Sequence, residues 1–356
     1  MKLAKKLLLL LVFTSFRILA LDSAAKTSDL WHVDVSAPVS QELRFSNGDA
    51  QLVGTLYLPK TGDHLPAVVV LHSAVAATRE AGLYQHLREG LPALGFAVLI
   101  YDRRGSGESS GRLENIDYET LADDAIAGQR ALAKIPRIDP AKIGFWGLSQ
   151  GGWLAVLAAG RSPNAAFAIS VSAPLVPAEE QMRFATRNLL KIRGYSDSDV
   201  SEMLDTRGKW TGYLRGANSR DVALQAFRNA ETRPWFDLTY MPKAEELTSD
   251  PEHNSYRHEM DDDPFVAATR VKAPLLFIYG DSDPWIPVAK SLEKLQQLGR
   301  ERPNFEYAVI PNANHEMMSP AEERMEVSTD TIRNDQPQAP SYFLVLGAWL
   351  AKHAAK

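Results

Sequence analysis

Six short apolar runs separated by helix-like stretches restrict this chain more than any other feature. They read "PAVVVLHS", "FAVLIYDRRG", "KIGFWGLS", "AFAISVSA", "APLLFIYGDSD" and "FEYAVIP". Continuous β-branched runs of this length suit strands buried on both faces, whereas half-exposed strands alternate in polarity. Helical patterns lie between them. Leu121, Ala125, Ile126 and Leu132 share one side of "DYETLADDAIAGQRALAK", and "QGGWLAVLAAG", "PVAKSLEKLQQLG" and "SYFLVLGAWLAKH" follow later runs. Residues 78–91 are also helix-compatible. Strands alternating with helices predict an α/β fold with a mostly parallel, twisted sheet and helices on both faces. Upstream, "QELRFSNGDAQLVGTLYLPK" alternates polar and apolar residues around Asn47-Gly48, which predicts a hairpin.

The rhythm breaks after Pro174 and resumes near Phe265. This stretch is richer in charge, contains helix-like pieces such as "EEQMRFATRNLLKI" and "DSDVSEML", and lacks a buried-strand run. It reads as an inserted helical cap over 175–267, dividing the core into 26–174 and 268–356. Its aromatics, Phe184, Trp210, Tyr213, Trp235, Phe236 and Tyr240, are expected to divide between the cap's own core and a slot for substrate.

Residues 1–25 differ in kind. Lys2, Lys5 and Lys6 precede an apolar run from Leu7 to Phe16, and small residues follow at Ser23-Ala24-Ala25. That pattern describes a secretory signal cleaved after Ala25. Arg17 interrupts the run, leaving it shorter than the roughly 20 residues that span a bilayer. The expected product is periplasmic or secreted, with no stable membrane insertion after cleavage. With no cysteine in the chain, disulfides, thiolate metal sites and a cysteine nucleophile are excluded. The net charge of −5, with no basic block beyond the N-terminus, offers nothing to nucleic acid.

One motif carries chemistry. Gly147-Leu148-Ser149-Gln150-Gly151 fits G-x-S-x-G, a weak pattern alone. Here it closes a buried strand and opens a helix, where a sharp turn lifts the serine oxygen above the sheet edge. A serine hydroxyl needs a base to take its proton and an acid to orient that base. Both follow in the chain. "GDSDPWIP" ends one strand with Asp281 and Asp283, and "NANHE" ends the next with His315.

Taken together, "VVLHS", "YDRRGSGESSG", "GLSQGG", "GDSDPWIP" and "NANHE" resemble, in order, the α/β-hydrolase superfamily, particularly its capped serine esterases, thioesterases and peptidase-like relatives. The resemblance covers nearly the whole chain after residue 25. It implies a Ser149–His315–Asp283 triad, the acid falling on Asp283 because of its spacing from Gly280 and from Ile286-Pro287. Asp281 is then a turn cap. The resemblance further implies an oxyanion hole from the backbone N–H groups of Ala74 and Gln150, with Val75 an alternative to Ala74. The family usually has His-Gly where this chain has His72-Ser73, which narrows the loop's backbone choices. The implied function is hydrolysis of carboxylic esters through an acyl-enzyme, on a small-molecule acyl substrate and without a cofactor. An aminopeptidase-like peptidase or a thioesterase would use the same triad, and a non-catalytic binding protein on this fold is the reading from another class.

Three features take blander readings. His72 is expected to be a hydrogen-bonded structural histidine. "YDRRGSGESSG" lacks the lysine-serine ending of a phosphate loop and reads as a sheet-edge turn. "EHNSYRHEMDDD" gathers histidines and acids without metal-binding spacing, so no metal is expected there.

Overall fold

The computed structural model describes residues 37–113, 116–302, 304–319 and 338–354. The signal segment and the cleavage site after Ala25 lie outside the described residues. In chain order the elements are β1 (Val39–Asn47), β2 (Ala50–Leu58), β3 (Leu65–Leu71), α1 (Gln85–Ala93), β4 (Ala97–Tyr101), α2 (Tyr118–Leu132), β5 (Ile138–Leu148), α3 (Gln150–Arg161) and β6 (Ala168–Val171). A helical stretch follows: α4 (Ala178–Ile192), α5 (Asp197–Leu214), α6 (Arg220–Ala230), α7 (Ser255–Glu259) and α8 (Pro264–Arg270). The sheet then resumes with β7 (Leu275–Gly280), α9 (Val288–Glu301), β8 (Phe305–Ile310) and α10 (Pro340–His353).

Among the described residues one eight-stranded sheet runs in the order β1-β2-β4-β3-β5-β6-β7-β8. The β1–β2 hairpin pairs Asn47 with Ala50 across the Asn47-Gly48 turn, and β2 runs antiparallel to β4. From β4 onward every pairing is parallel. Alternate side chains explain the two covered faces. Val68, Val70, Val98, Ile100 and Trp146 enter the cluster with α1 and α10, while Ala67, Val69, Leu99 and Phe145 join α2, α3 and α9 on the other side. Removing one such valine side chain from water stabilises the fold by about 1.5–3 kcal/mol. The central runs therefore have no polar face to offer solvent.

The first helix begins later than its sequence pattern predicts. Residues 78–81 form a turn instead, because the Arg79 N–H is drawn to Asp102 Oδ1 at 2.8 Å. A short 3-10 turn over Gly82–Tyr84 then leads into α1.

Between β6 and β7 the insertion builds a core of its own from Leu190, Met203, Trp210, Phe227, Trp235 and their neighbours. Inside it, buried Arg207 donates through Nε to Glu179 Oε2 at 3.0 Å and through Nη2 to the Tyr256 hydroxyl at 2.9 Å. Tyr256 in turn stacks on Trp210 with centroids 5.1 Å apart. Ser196 and Asp199 close a reciprocal capping box at the start of α5, a device that satisfies two otherwise orphaned amides. Trp210, Tyr213, Trp235 and Phe236 all belong to this inner core, so these are packing aromatics. Tyr240 is different: it stays 48% exposed and meets Trp285 at 5.7 Å.

Candidate active site

β5 ends at Leu148 and α3 begins at Gln150, so Ser149 alone makes the strand-to-helix reversal. Its backbone adopts φ 57° and ψ −121°, a conformation that costs a non-glycine residue about 1–3 kcal/mol. The surroundings enforce it. The Ser149 N–H donates to the Val171 carbonyl at 2.8 Å, and the Ser149 carbonyl accepts from Gly152 and Trp153 at 2.9 and 3.2 Å. A methyl at Gly147 would run into the Gly151 carbonyl, and one at Gly151 into the Leu71 carbonyl. Glycine stands at both positions because backbone occupies the space.

The acid and the histidine arrive on the next loops along the same sheet edge. Asp283 follows β7 and His315 follows β8, and Asp283 Oδ2 lies 2.8 Å from His315 Nδ1. The other carboxylate oxygen, Oδ1, accepts the N–H groups of Trp285 and Ile286 at 2.8 and 3.2 Å. Both residues are buried. Asp281, the rival acid, instead accepts the Asn312 N–H at 2.7 Å and holds the turn that leads to the histidine. Backbone bonds from Asp281 to Ile310 and from Ser282 to Ala313, both 3.1 Å, join the two loops. Asn314 Oδ1 accepts from Glu316 and Met318, folding the histidine loop back on itself.

Facing these is the loop after β3. The Ser73 N–H donates to the Tyr84 hydroxyl at 2.8 Å, and that hydroxyl donates to the Ala76 carbonyl at 3.0 Å. Ser73 is thereby removed as an oxyanion donor. Among the described residues, the N–H groups of Ala74, Val75 and Gln150 meet no acceptor, and Ala74 and Val75 are both exposed. Gln150 also opens α3, where unpaired amides and the helix dipole favour negative charge. Its side-chain Nε2 donates to the Tyr118 hydroxyl at 3.2 Å.

His72 departs from expectation. It is buried, but its Nε2 finds no hydrogen-bond partner, and the ring stands edge-on to Tyr84 and Tyr101 at 5.2 and 5.3 Å. Burial, with the Arg103 charge beside it, holds its pKa well below the ordinary histidine value. Aromatic packing rather than hydrogen bonding positions this ring. The cluster "EHNSYRHEMDDD" disperses: His253 meets Asp250, His258 meets the Glu252 carbonyl, and Asp261 pairs with Arg215. Among the described residues no three metal-binding side chains converge.

Residues that motif reading passed over also gather here. Trp285 lies between Tyr240 and His315, its centroid 6.4 Å from the imidazole. Gln181 and Asn188 of α4 donate to the carbonyls of Trp285 and Pro284 at 2.9 and 3.1 Å, tying the insertion to the acid's turn. Glu259 of α7 faces the Tyr118 hydroxyl, and burial pushes its carboxyl up to about 7. Their only sequence signal was polar or aromatic character in a loop or insertion. Strain concentrates in the same places: Ser149, Ser172, Tyr240, Asn312 and Met317 all have positive φ without being glycine.

A model of the alpha/beta hydrolase family matches residues 68–328. The chain is 39% identical over 88 residues to the polyketide transferase claH of Penicillium crustosum, covering 24% of this chain and 28% of that one. It is 26% identical over 300 residues to a monoacylglycerol lipase of Mycolicibacterium smegmatis, covering 82% of this chain and 95% of the lipase. The chain spans less than half the length of the first curated relatives it matches. An esterase of Pyrococcus furiosus shares the fold, with a TM-score of 0.58, 17% identity, and coverage of 89% of this chain and 92% of the esterase.

Proposed function

Because the chain belongs to the alpha/beta hydrolase family, we propose that it is an exported serine hydrolase that cleaves carboxylic esters through an acyl-enzyme. The observation that carries this reading is the strained Ser149 turn at the sheet edge that also bears the hydrogen-bonded Asp283–His315 pair. The likeness to a monoacylglycerol lipase favours an ester over an amide as the bond broken.

In this mechanism Ser149 Oγ attacks the ester carbonyl and its proton passes to His315 Nε2. Nδ1 is already committed to Asp283, so the imidazole is held in the tautomer that accepts at Nε2. Asp283 stabilises the imidazolium that forms. Negative charge builds on the former carbonyl oxygen, where the N–H groups of Gln150 and Ala74 meet it. Collapse breaks the bond to the alcohol, which leaves with the proton from His315. Water then attacks the acyl-serine with His315 as base, releasing the acid and restoring Ser149. Trp285 and Tyr240 supply an apolar wall beside the imidazole for the substrate.

The test is turnover of p-nitrophenyl esters together with labelling by a fluorophosphonate. Ser149→Ala is expected to lose about three or more decades in kcat and all labelling while keeping the fold. Near-normal turnover in the folded variant would remove Ser149 from the chemistry. Export is tested separately: the mature protein is expected to begin at Lys26, and an intact Met1 on the exported product would refute cleavage.

A further inference from the structure

Arg103 and Arg104 are neighbours in the chain and live in opposite electrostatic conditions. Arg104 is conventionally paired, its Nε and Nη2 meeting the two carboxylate oxygens of Asp124 at 3.0 and 2.7 Å. Arg103 is only 7% exposed, yet among the described residues no carboxylate forms an ion pair with it. Burying an uncompensated cation costs several kcal/mol even after the protein relaxes. Stability alone gives no reason to keep one here.

Its hydrogen bonds show where the charge is directed. Nη2 donates to the His72 carbonyl at 2.8 Å and lies 3.4 Å from the Ser73 carbonyl. The Arg103 main-chain N–H holds the far end of the same loop, donating to Ala77 at 2.8 Å. Tyr84 occupies the Ser73 N–H and the Ala76 carbonyl. Loop 72–77 is thus pinned from beneath at both ends, and the amides of Ala74 and Val75, the exposed ones, are among those that meet no acceptor. The Ser73 carbonyl and the Ala74 N–H belong to one peptide group, so a cation at the carbonyl draws charge from the amide and makes its hydrogen a better donor. Hydrogen bonds coupled in this way strengthen one another by roughly 10–30%.

We propose that Arg103 is a positioning residue for the oxyanion site: its unpaired guanidinium fixes and polarises the Ser73–Ala74 peptide so that the Ala74 N–H meets the developing oxyanion. The inference rests on the acyl-hydrolase reading given above. It explains why the charge stays unpaired, since a carboxylate seated on Arg103 would cancel the field at the oxygen. The acid that does face it, Glu259 from α7, forms no ion pair with it, and burial raises that carboxyl toward neutrality. The tyrosines around Arg103, Tyr84, Tyr101 and Tyr118, are all held uncharged by burial.

The experiment compares Arg103→Gln and Arg103→Lys in the full chain, on a p-nitrophenyl ester and with phenylboronic acid, which mimics the tetrahedral oxyanion. Gln keeps a donor without charge, and Lys keeps the charge without the fork. Arg103→Gln is expected to lower kcat about 10- to 100-fold, less than removal of a whole oxyanion donor. KM should stay nearly unchanged and boronate affinity should fall in parallel. Arg103→Lys should recover most of both losses. A folded Arg103→Gln with wild-type kcat, a loss carried by KM, or a Lys variant no better than Gln would each overturn the proposal. Failure of both variants to fold would assign Arg103 to structure and overturn it equally. An inert, unlabelled wild-type protein would instead sink the ester-hydrolase reading itself.

Discussion

The two sides of this site handle buried charge in opposite ways. On the acid side, Asp283 is surrounded by donors: Trp285 and Ile286 at one oxygen and His315 at the other. On the side proposed to hold the oxyanion, Arg103 lies beneath the loop against carbonyls and, among the described residues, forms no ion pair with a carboxylate. The histidines repeat the contrast. His315 is wired to an acid, whereas His72 is enclosed by tyrosines and held neutral by burial and by Arg103. Residue type therefore does not assign the role; the neighbouring charge does. In the proposed mechanism a proton moves through one side, and there the carboxylate is paired with the group that would move it. On the same proposal the other side meets charge only in the transition state, where preorganised dipoles act best with an unspent field.

The largest effect is expected on the acid side. Asp283→Asn should lower kcat by roughly 10⁴-fold, because an amide presents the wrong group to His315 Nδ1 and favours the wrong tautomer. Asp281→Asn keeps an oxygen for the Asn312 N–H and should cost far less. Steady-state kinetics on both folded variants checks this, and a reversed order would reassign the acid.

The oxyanion side should break less completely. Ala74→Pro removes the N–H and is expected to cost about 100- to 1000-fold in kcat. Ala74→Gly keeps the donor and should retain most activity. Circular dichroism must accompany the kinetics, since proline also restricts Ser73. A folded Ala74→Pro with intact kcat would move the donor to Val75.

The smallest effect concerns the acid that looks across at Arg103. Glu259 is pushed up from 4.5 to about 7, chiefly by burial. Tyr118, Asp262, Asp117 and Arg103 are the groups acting on it. A carboxyl raised on folding contributes stability that is fully present below pH 4.5 and is lost as pH rises through about 7. Wild-type protein should therefore lose stability between pH 5 and 8 that Glu259→Gln does not. Thermal melts should show the Tm of the variant gaining about 1–2 °C on wild type across that range, a modest shift because the carboxyl is only half-buried. Parallel Tm curves would mean that Glu259 does not titrate in this window.

The sheet was legible because its signal is local. A β-branched run as short as "PAVVVLHS" favours a strand covered on both sides, and β3 lies at Leu65–Leu71 accordingly. The first helix starts later than its composition predicts because that signal, too, is only local. Residues 78–81 have helical composition, but Asp102, 23 positions away from Arg79, competes for the backbone. Sequence also marked Ser149, His315 and the Asp281/Asp283 pair, since turns at strand ends follow from glycines and chain order, and the family resemblance then pointed to Asp283. It left Ala74 and Val75 open, and the structure leaves both amides exposed and without an acceptor.

By itself, then, the sequence determined the alternation of buried strands and helices, the glycine-flanked serine turn, and an acid and a histidine downstream. Each of these depends on residues within a few positions of one another. Only the tertiary structure decided which aspartate meets His315, which loop amides stay unpaired, that Trp285 stands between Tyr240 and the imidazole, and that Arg103 is buried without an ion-paired carboxylate among the described residues. Those are relations between segments far apart in the chain. Charge and hydrogen bonding act over distances in space, and nothing in the one-dimensional pattern around "YDRRG" distinguishes the paired arginine from the unpaired one.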